Sequence, residues 1–584
     1  ALRVVRARPA RLSCGVAAGG GSAPIGALTM SVAMESRGNL WKIIGASSVG
    51  TLIEWYDFYI FGSLAAIIAT QFFPRDNPTA AFLSTLATFA AGFIVRPFGA
   101  IVFGRLGDVI GRKYTFLVTL MLMGGATFAI GLVPGYDQIG YFAPVIVLVL
   151  RLLQGLALGG EYGGAATYVA EHAPDGQRGF WTSWIQTTAT LGLFVSLGVI
   201  LVCRSSMDAQ AFNSWGWRIP FLLSIFLVVF SYFLRLRMKE SPVFSRMKAT
   251  GKTSKNPIKE SFGNWFNLKF VLLALFGATA GQGVVWYTGQ FYVLSFMQKS
   301  LHVEFSQTNI IIGVALAIGT PFFVVMGSLS DKIGRKPITM VGCLLAVIFY
   351  LPIFHGIAAQ ADLGSKTPAG EAVLVGEPVA STAAADDAKL GVKKGDAITT
   401  TKHTVRYEDG TTAVRTTVSV GEAGGAASVS YADVRLGGGP FIVCVGLIAV
   451  LVTFVTMVYG PIAAFLVELF PTKIRYTSMS LPYHVGNGVF GGLVPFIATW
   501  LASSQLAHEG GTLSKIAGGP MFVGLLYPIA IAAITFVVGT LLIRDTRHVS
   551  MHEDLTLVGE EAGSEHEPAS GGTPEKGPGG PAKG

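Results

Sequence analysis

The chain has 584 residues, of which 51% are hydrophobic and only 13% are Asp, Glu, Lys or Arg, where soluble domains carry about 25% charged residues. With a mean hydropathy of +0.56, this composition excludes a soluble protein. The net charge of +9 does not point to nucleic acid either, because the cations fall in short loops between apolar runs, where they bias topology. The four cysteines, Cys14, Cys203, Cys343 and Cys444, are scattered singly and form neither a disulfide framework nor a zinc spacing. The residues give no sign of a metal or a cofactor.

In chain order, residues 1–33 carry Arg3, Arg6, Arg8 and Arg11 and no acid. They are expected to be an extension upstream of a start at Met30 or Met34 rather than a transit peptide, and 1–40 is expected to form a disordered tail. A bilayer core about 30 Å thick needs about 20 apolar residues at 1.5 Å each. Runs of that kind occupy 41–70, 81–104, 114–134, 141–172, 180–202, 217–236, 268–297, 306–329, 337–357, 440–468, 476–502 and 519–543. The expected fold is therefore an all-α membrane protein of twelve spans: a six-helix bundle at 41–236, a basic linker at 237–267, and a second six-helix bundle at 268–357 and 440–543. The polar segment 358–439 holds two Thr/Val-rich alternating stretches, Thr399 to Val420, around Asp409-Gly410. That pattern predicts a β-hairpin in a small soluble insert. The tail 544–584, rich in Gly, Pro, Glu and Ser, is expected to be disordered. On this plan one set of short loops holds eighteen Lys and Arg and the other set four, which predicts both termini inside and the insert outside.

The sequence repeats itself. Gly104-Arg-Leu-Gly-Asp108-Val-Ile-Gly111-Arg112-Lys113 returns 223 residues later as Gly327-Ser-Leu-Ser-Asp331-Lys-Ile-Gly334-Arg335-Lys336. Glu171-His-Ala-Pro174 with Arg178 returns 297 residues later as Glu468-Leu-Phe-Pro471 with Arg475. The difference of 74 residues between the two offsets falls where the polar insert lies, so the chain reads as two parallel six-helix repeats. In each first motif the Asp offers a carboxylate to orphan helix N–H groups and the glycines permit positive φ. The Arg-Lys pair holds the loop at the membrane surface.

The duplicated loop resembles the signature of the major facilitator superfamily. Glu54-Trp-Tyr-Asp57-Phe-Tyr, Arg96-Pro97-Phe98-Gly99, Gly159-Gly160-Glu161, Glu240-Ser241-Pro242-Val243-Phe244 and Glu468-Leu-Phe-Pro471-Thr with Arg475-Tyr-Thr are similar to its metabolite:proton symporter family. The resemblance covers about residues 40–548 apart from the insert. It implies two bundles rocking about a central cavity and uptake of a small carboxylate or zwitterion, such as oxoglutarate, shikimate, proline or betaine. One departure is Val109, where the superfamily loop usually has a basic residue; Lys332 fills the matching place in the second half.

Ionisable residues inside spans cost about 2.5–3.5 kcal/mol on insertion scales and are functional candidates by default. Glu54 and Asp57 lie three apart on one helix face, as a proton-exchanging pair or as partners of cations on neighbouring helices. Arg96 lies about 12 Å inside its span, where its fork suits a substrate carboxylate or neutralises Glu54 or Asp57. Arg151-Leu-Leu-Gln154-Gly155 resembles the superfamily's second motif, whose Arg is associated with proton coupling. Glu161, among Gly159, Gly160, Gly163 and Gly164, is the first candidate for a protonation switch, or else a hydrogen-bonding group between packed helices. Gln154, Gln282, Trp286, Tyr287, Gln290, Tyr483, His484 and Asn487 offer a polar and aromatic wall for an anion or a quaternary ammonium.

The sequence thus predicts a secondary active transporter: proton-coupled uptake of a small organic acid or zwitterion across a bacterial cytoplasmic membrane. It is expected to act as a monomer with only substrate, protons and lipid as partners. A proton-antiport exporter, or a transporter-like sensor that uses the insert, is the alternative. An enzyme is not expected, because no nucleophile-base or metal constellation occurs in the loops.

Overall fold

The computed structural model describes residues 41, 44, 45, 48–74, 78–236, 256–382, 396–420, 425–471 and 474–549. The expected tails at 1–40 and beyond 549, and the linker up to residue 255, lie outside the described residues. In the first half the helices are α1 (48–63), α2 (Ala65–Phe72), α3 (Pro78–Ile94), α4 (Arg96–Val109), α5 (Arg112–Leu132), α6 (Phe142–His172), α7 (Arg178–Ser205) and α8 (Arg218–Leu236). The second half contains α9 (Trp265–Ala274), α10 (Ala280–Tyr287), α11 (Phe305–Ile333), α12 (Arg335–Ala361), α13 (Gly438–Tyr459), α14 (Ile462–Leu469), α15 (Arg475–His484), α16 (Val494–Ser503) and α17 (Leu526–Leu542).

Among the described residues nine helical stretches are long and apolar enough to cross a membrane, and Leu117–Leu132 and Arg218–Phe230 are shorter apolar helices. Their outward faces would be stranded in water. On α8, Phe226, Phe230 and Phe233 form a stripe at helical spacing and are 70, 59 and 61% exposed, which suits lipid.

Local sequence explains the breaks. Helix α3 stops at Ile94 and α4 restarts at Arg96, with Pro97 in its first turn, where a missing N–H costs nothing. The stretch Trp265–Ser300 is a single path interrupted by π-helical turns at Leu275–Thr279, Thr288–Tyr292 and Phe296–Ser300. Such turns widen the helix and concentrate at functional positions. Helices α3 and α4 approach α6 so closely that a Cβ on Gly155 would strike the Gly92 carbonyl of α3, and one on Gly159 the Arg96 carbonyl of α4. The glycines before Glu161 are therefore packing positions of the small-residue kind.

The repeated loops carry the same backbone. Gly111 (φ 131°, ψ 155°) and Gly334 (φ 116°, ψ 154°) adopt a conformation essentially closed to other residues. Each Asp serves as a cap, as the sequence predicts, but across the molecule. Asp108 accepts from the Thr477 N–H (3.0 Å) and hydroxyl (2.7 Å) at the start of α15. Asp331 accepts from the Gly179 and Phe180 N–H groups (2.9 and 2.8 Å) at the start of α7. Buried ion pairs lie beside these caps: Arg475 with Glu171 (3.1 Å), and Glu468 with Arg335 (3.1 Å) and Arg178 (3.5 Å). Lys336 donates to the Thr540 carbonyl (2.7 Å). The Arg112 and Lys113 side chains lie outside the described residues. Gly104 packs on the Thr477 backbone, and Gly327 on the Gly179 carbonyl.

Between α12 and α13 the predicted hairpin is present as β3 (Ala397–Arg406) and β4 (Thr412–Val420), turning at Asp409-Gly410 with Gly410 at φ 82°. It is part of a larger antiparallel sheet with β1 (Val373–Leu374), β2 (Val379–Thr382) and β5 (Gly425–Arg435), in which β1 and β2 both pair with β3 and β5 pairs with β4. The sheet is anchored to the loop before α11. Val434 exchanges backbone bonds with His302 and Glu304 (2.9 Å each), and the Gln307 side chain bonds Leu436 N–H and carbonyl (2.7 and 2.9 Å). Glu304 also caps α11 through the Gln307 N–H (2.8 Å). At the turn, Asp409 pairs with Lys366. Burial works against the ionised Asp409, but hydrogen bonds from Lys366 and Thr411 outweigh it and hold the carboxyl below the usual aspartate range.

Two outcomes follow from this architecture. Gly111→Ala and Gly334→Ala should each cost about 1–3 kcal/mol of stability, with Gly334→Ala the worse because its methyl would also meet the Asp545 carboxylate; thermal melts in detergent matching wild type would rule out the strained conformation. The depressed Asp409 pKa means that its contribution is complete above the unfolded value of about 3.9 and is lost as pH falls through the lower folded value. Hydrogen exchange in β3 and β4 should therefore speed up in acid, with a weaker pH dependence in Asp409→Asn; equal slopes in both proteins would remove the Lys366–Asp409 pair from the anchoring.

Candidate functional site

The two halves meet around a cavity with about 400 Å³ of atom-free space, lined by Thr51, Glu54, Trp55, Arg96, Leu158, Tyr162, Tyr287, Tyr483, His484 and Asn487. Helices α1, α4 and α6 supply the first six residues, and α10 with the α15 region the rest.

Arg96 is on the wall at the first residue of α4, immediately before Pro97. Its guanidinium lies over the rings of Phe93 (4.3 Å) and Phe58 (5.1 Å) and beside the Tyr287 hydroxyl. It is 5% exposed, and its Nε has no hydrogen-bond partner among the described residues. Facing it are His484, neither of whose ring nitrogens has a partner there, and Asn487, held by reciprocal bonds with Gln282 (2.8 and 3.0 Å). The site thus combines a buried cation, an acid and unsatisfied ring nitrogens inside an aromatic shell.

Aromatic pairs close the cavity on two sides. Toward the repeated loops, Tyr162 of α6 stacks on Tyr483 of α15 at 3.6 Å and 4°. Tyr483 also bonds the Tyr459 hydroxyl (2.6 Å), and Gln186 bonds Tyr162 (2.7 Å). Toward the sheet, Trp55 meets Trp286 (5.1 Å) and Tyr59 stacks on Phe291 (5.6 Å). Each of these three contacts joins one half to the other.

A second polar cluster sits inside the first half, off the cavity wall. Arg151 donates to Gln154 (2.8 Å), and Gln154 to Thr127 (2.6 Å). Thr127 in turn lies within hydrogen-bonding reach of Asp57. Asp57 is 1% exposed, and its Oδ1 has no partner among the described residues. The Arg151 guanidinium lies over Phe61 (4.4 Å). No carboxylate pairs with Arg96 or Arg151 among the described residues.

Of the residues singled out in the sequence, Glu54, Arg96, Tyr287, Tyr483, His484 and Asn487 therefore share the cavity. Asp57 and Arg151 share the second cluster. Gln154, expected on the substrate wall, is placed there too, its amide engaged by Arg151 and Thr127. Gln290 is buried away from the wall, and its Nε2 has no hydrogen-bond partner among the described residues. The Glu161 side chain lies outside the described residues. Sequence reasoning missed Thr51, Trp55, Leu158 and Tyr162; the one signal for Trp55 and Tyr162 was adjacency to Glu54 and Glu161.

Comparison with known proteins agrees with this geometry. The family model described as "Sugar (and other) transporter" matches residues 43–264. The chain is 31% identical over 519 residues to the inner membrane metabolite transport protein YhjE of Escherichia coli, covering 87% of this chain and 95% of that protein. It is 36% identical over 323 residues to the alpha-ketoglutarate permease of Escherichia coli, covering 55% and 73% respectively. The solved proton:xylose symporter XylE superposes with a TM-score of 0.58 at 16% identity, covering 87% of this chain and 96% of that one, which speaks to the fold alone. The chain is thus a multi-pass membrane protein with the major facilitator fold, and it belongs to the major facilitator superfamily, among its metabolite transporters rather than among enzymes.

Proposed function

We propose that this transporter takes up a small carboxylate, an organic acid or zwitterion, by proton-coupled symport across the bacterial cytoplasmic membrane. The observation that carries the reading is Arg96, a buried guanidinium on the cavity wall with no carboxylate partner among the described residues. A desolvated cation of this kind stabilises an anion that completes its hydrogen bonds. Glu54 and the rings of Trp55 and Tyr287 would receive the cationic end of a zwitterion.

The proton is assigned to the acids of the first half. Asp57 is deeply buried beside Thr127, and Arg151 lies one side chain further, beyond Gln154. A carboxyl there gains or loses charge at high cost, so its protonation weighs on the balance between conformations. Glu54 on the wall, and Glu161 by resemblance to the family, belong to the same proposal. The twelve-span plan adds α1 with α2, and the two shorter apolar helices, to the nine long stretches. The excess of cations on the repeated loops supports placing them in the cytoplasm and the sheet outside. Opening toward the cytoplasm would require releasing Asp108, Asp331, Glu171 and Glu468 from the opposite half; opening outward would require parting Trp55 from Trp286 and Tyr59 from Phe291.

Arg96→Lys should raise the KM for the transported carboxylate about 10- to 100-fold, the equivalent of losing a charge-assisted bond of about 1.5–3 kcal/mol; unchanged kinetics in vesicle uptake would take Arg96 out of the site. Asp57→Asn should abolish accumulation driven by an imposed proton gradient while sparing substrate counterflow. A full gradient-driven overshoot in that variant would move coupling elsewhere.

A further inference from the structure

The sheet register places Leu374, His403, Arg415 and Tyr431 side by side on β1, β3, β4 and β5. Directly paired residues of antiparallel strands share a face, with Cβ atoms about 4.5–5.5 Å apart. An arginine opposite a histidine adds nothing to strand pairing and opposes it whenever the imidazole is charged. Arg415 is nevertheless half-buried, and both its Nε and the His403 Nδ1 are shielded from solvent without a hydrogen-bond partner among the described residues. Asp409, at the nearby turn, is already taken by Lys366 and Thr411. On the same face the Tyr407 hydroxyl lies close to that of Tyr431. Tyr407 is buried, whereas Tyr431 and Leu374 remain 37% and 49% exposed.

We propose that this row is a second ligand site, for a small monocarboxylate. The guanidinium fork matches a carboxylate bidentately. An Nδ1–H of His403 and the Tyr431 hydroxyl complete the donors, and Leu374 and the Tyr431 ring wall the apolar end of the ligand. Filling the site satisfies polar atoms that are otherwise desolvated at a cost. The apolar wall of Leu374 and the Tyr431 ring favours a carboxylate that carries an apolar tail over phosphate, which has none. The site lies on the sheet and stands independently of the transport reading.

The test uses the full chain carrying Arg96→Gln, which disables the central cavity, in nanodiscs of neutral phosphatidylcholine. Benzoate, succinate and inorganic phosphate are titrated by calorimetry. The expected result is saturable benzoate binding, tighter than that of phosphate. Adding Arg415→Gln should weaken it at least tenfold, adding His403→Asn should weaken it to a lesser extent, and Arg415→Lys should recover part of the loss. Hydrogen exchange across β3 and β4 reports whether each variant keeps the sheet; if Arg415→Gln loses it, His403→Asn and Tyr431→Phe carry the decision. Absence of saturable carboxylate binding, preference for phosphate, or binding unaffected in variants with an intact sheet overturns the proposal.

Discussion

Everything else in this structure depends on carboxylates that cap helices belonging to the opposite half. Asp108 holds the start of α15 and Asp331 the start of α7, so each half supplies the charge that the other's orphan N–H groups require. The exchange is symmetric because the repeat is: the same motif, 223 residues apart, meets the same helix end in the other copy. A cap within one half would stabilise a helix only. A cap between halves makes helix stability and the closed arrangement a single quantity.

Glu468 concentrates the same logic. Its two oxygens receive Arg335 from α12, Arg178 from α7 and the Thr546 hydroxyl from the segment after α17. Two guanidiniums on a carboxylate this deeply buried carry a large desolvation cost, which the multiple hydrogen bonds offset. Such a cluster contributes less to net stability than to the choice of one arrangement over others, since removing a single partner leaves uncompensated charge worth about 3–5 kcal/mol. In the proposed cycle this is what allows a modest driving force to switch between two discrete states rather than deform one continuously.

The sequence was informative wherever polarity violated its surroundings. Arg96, Glu54, Tyr287, Tyr483, His484 and Asn487 stood out because a polar side chain in an apolar span must be satisfied by something. Trp55, Leu158 and Tyr162 did not stand out, because an aromatic or aliphatic residue on a cavity wall has the same neighbours in sequence as one in a packed core. Gln154 shows the other limit. It shares a face of α6 with Leu158 and Tyr162 at helical spacing, so its direction was legible, but it lies one turn beyond the wall and spends its amide on Arg151 and Thr127. Periodicity gives the face of a helix and leaves its depth relative to neighbouring helices open. The loop motifs had the same property: the caps were legible as caps, and the half that they serve was not.

The arrangement of cavity and caps is also why the π-helical turns fall where they do. The path Trp265–Ser300 runs alongside the site and supplies Tyr287, Trp286 and Phe291 from between or within two of its wide turns. Beyond the wall residues it is fixed, since His302 and Glu304 are bonded to Val434 of the sheet; before them Thr279, in its first wide turn, bonds the Pro482 carbonyl in α15 (2.7 Å). The segment that carries Trp286, Tyr287 and Phe291 is therefore anchored on both sides. Trp286 and Phe291, the partners of Trp55 and Tyr59, sit on that stretch of wide turns, whereas the ionic cluster sits at helix ends. Aromatic pairs thus close both sides of the cavity, but only toward the repeated loops is the pair, Tyr162 on Tyr483, backed by buried ion pairs between the halves.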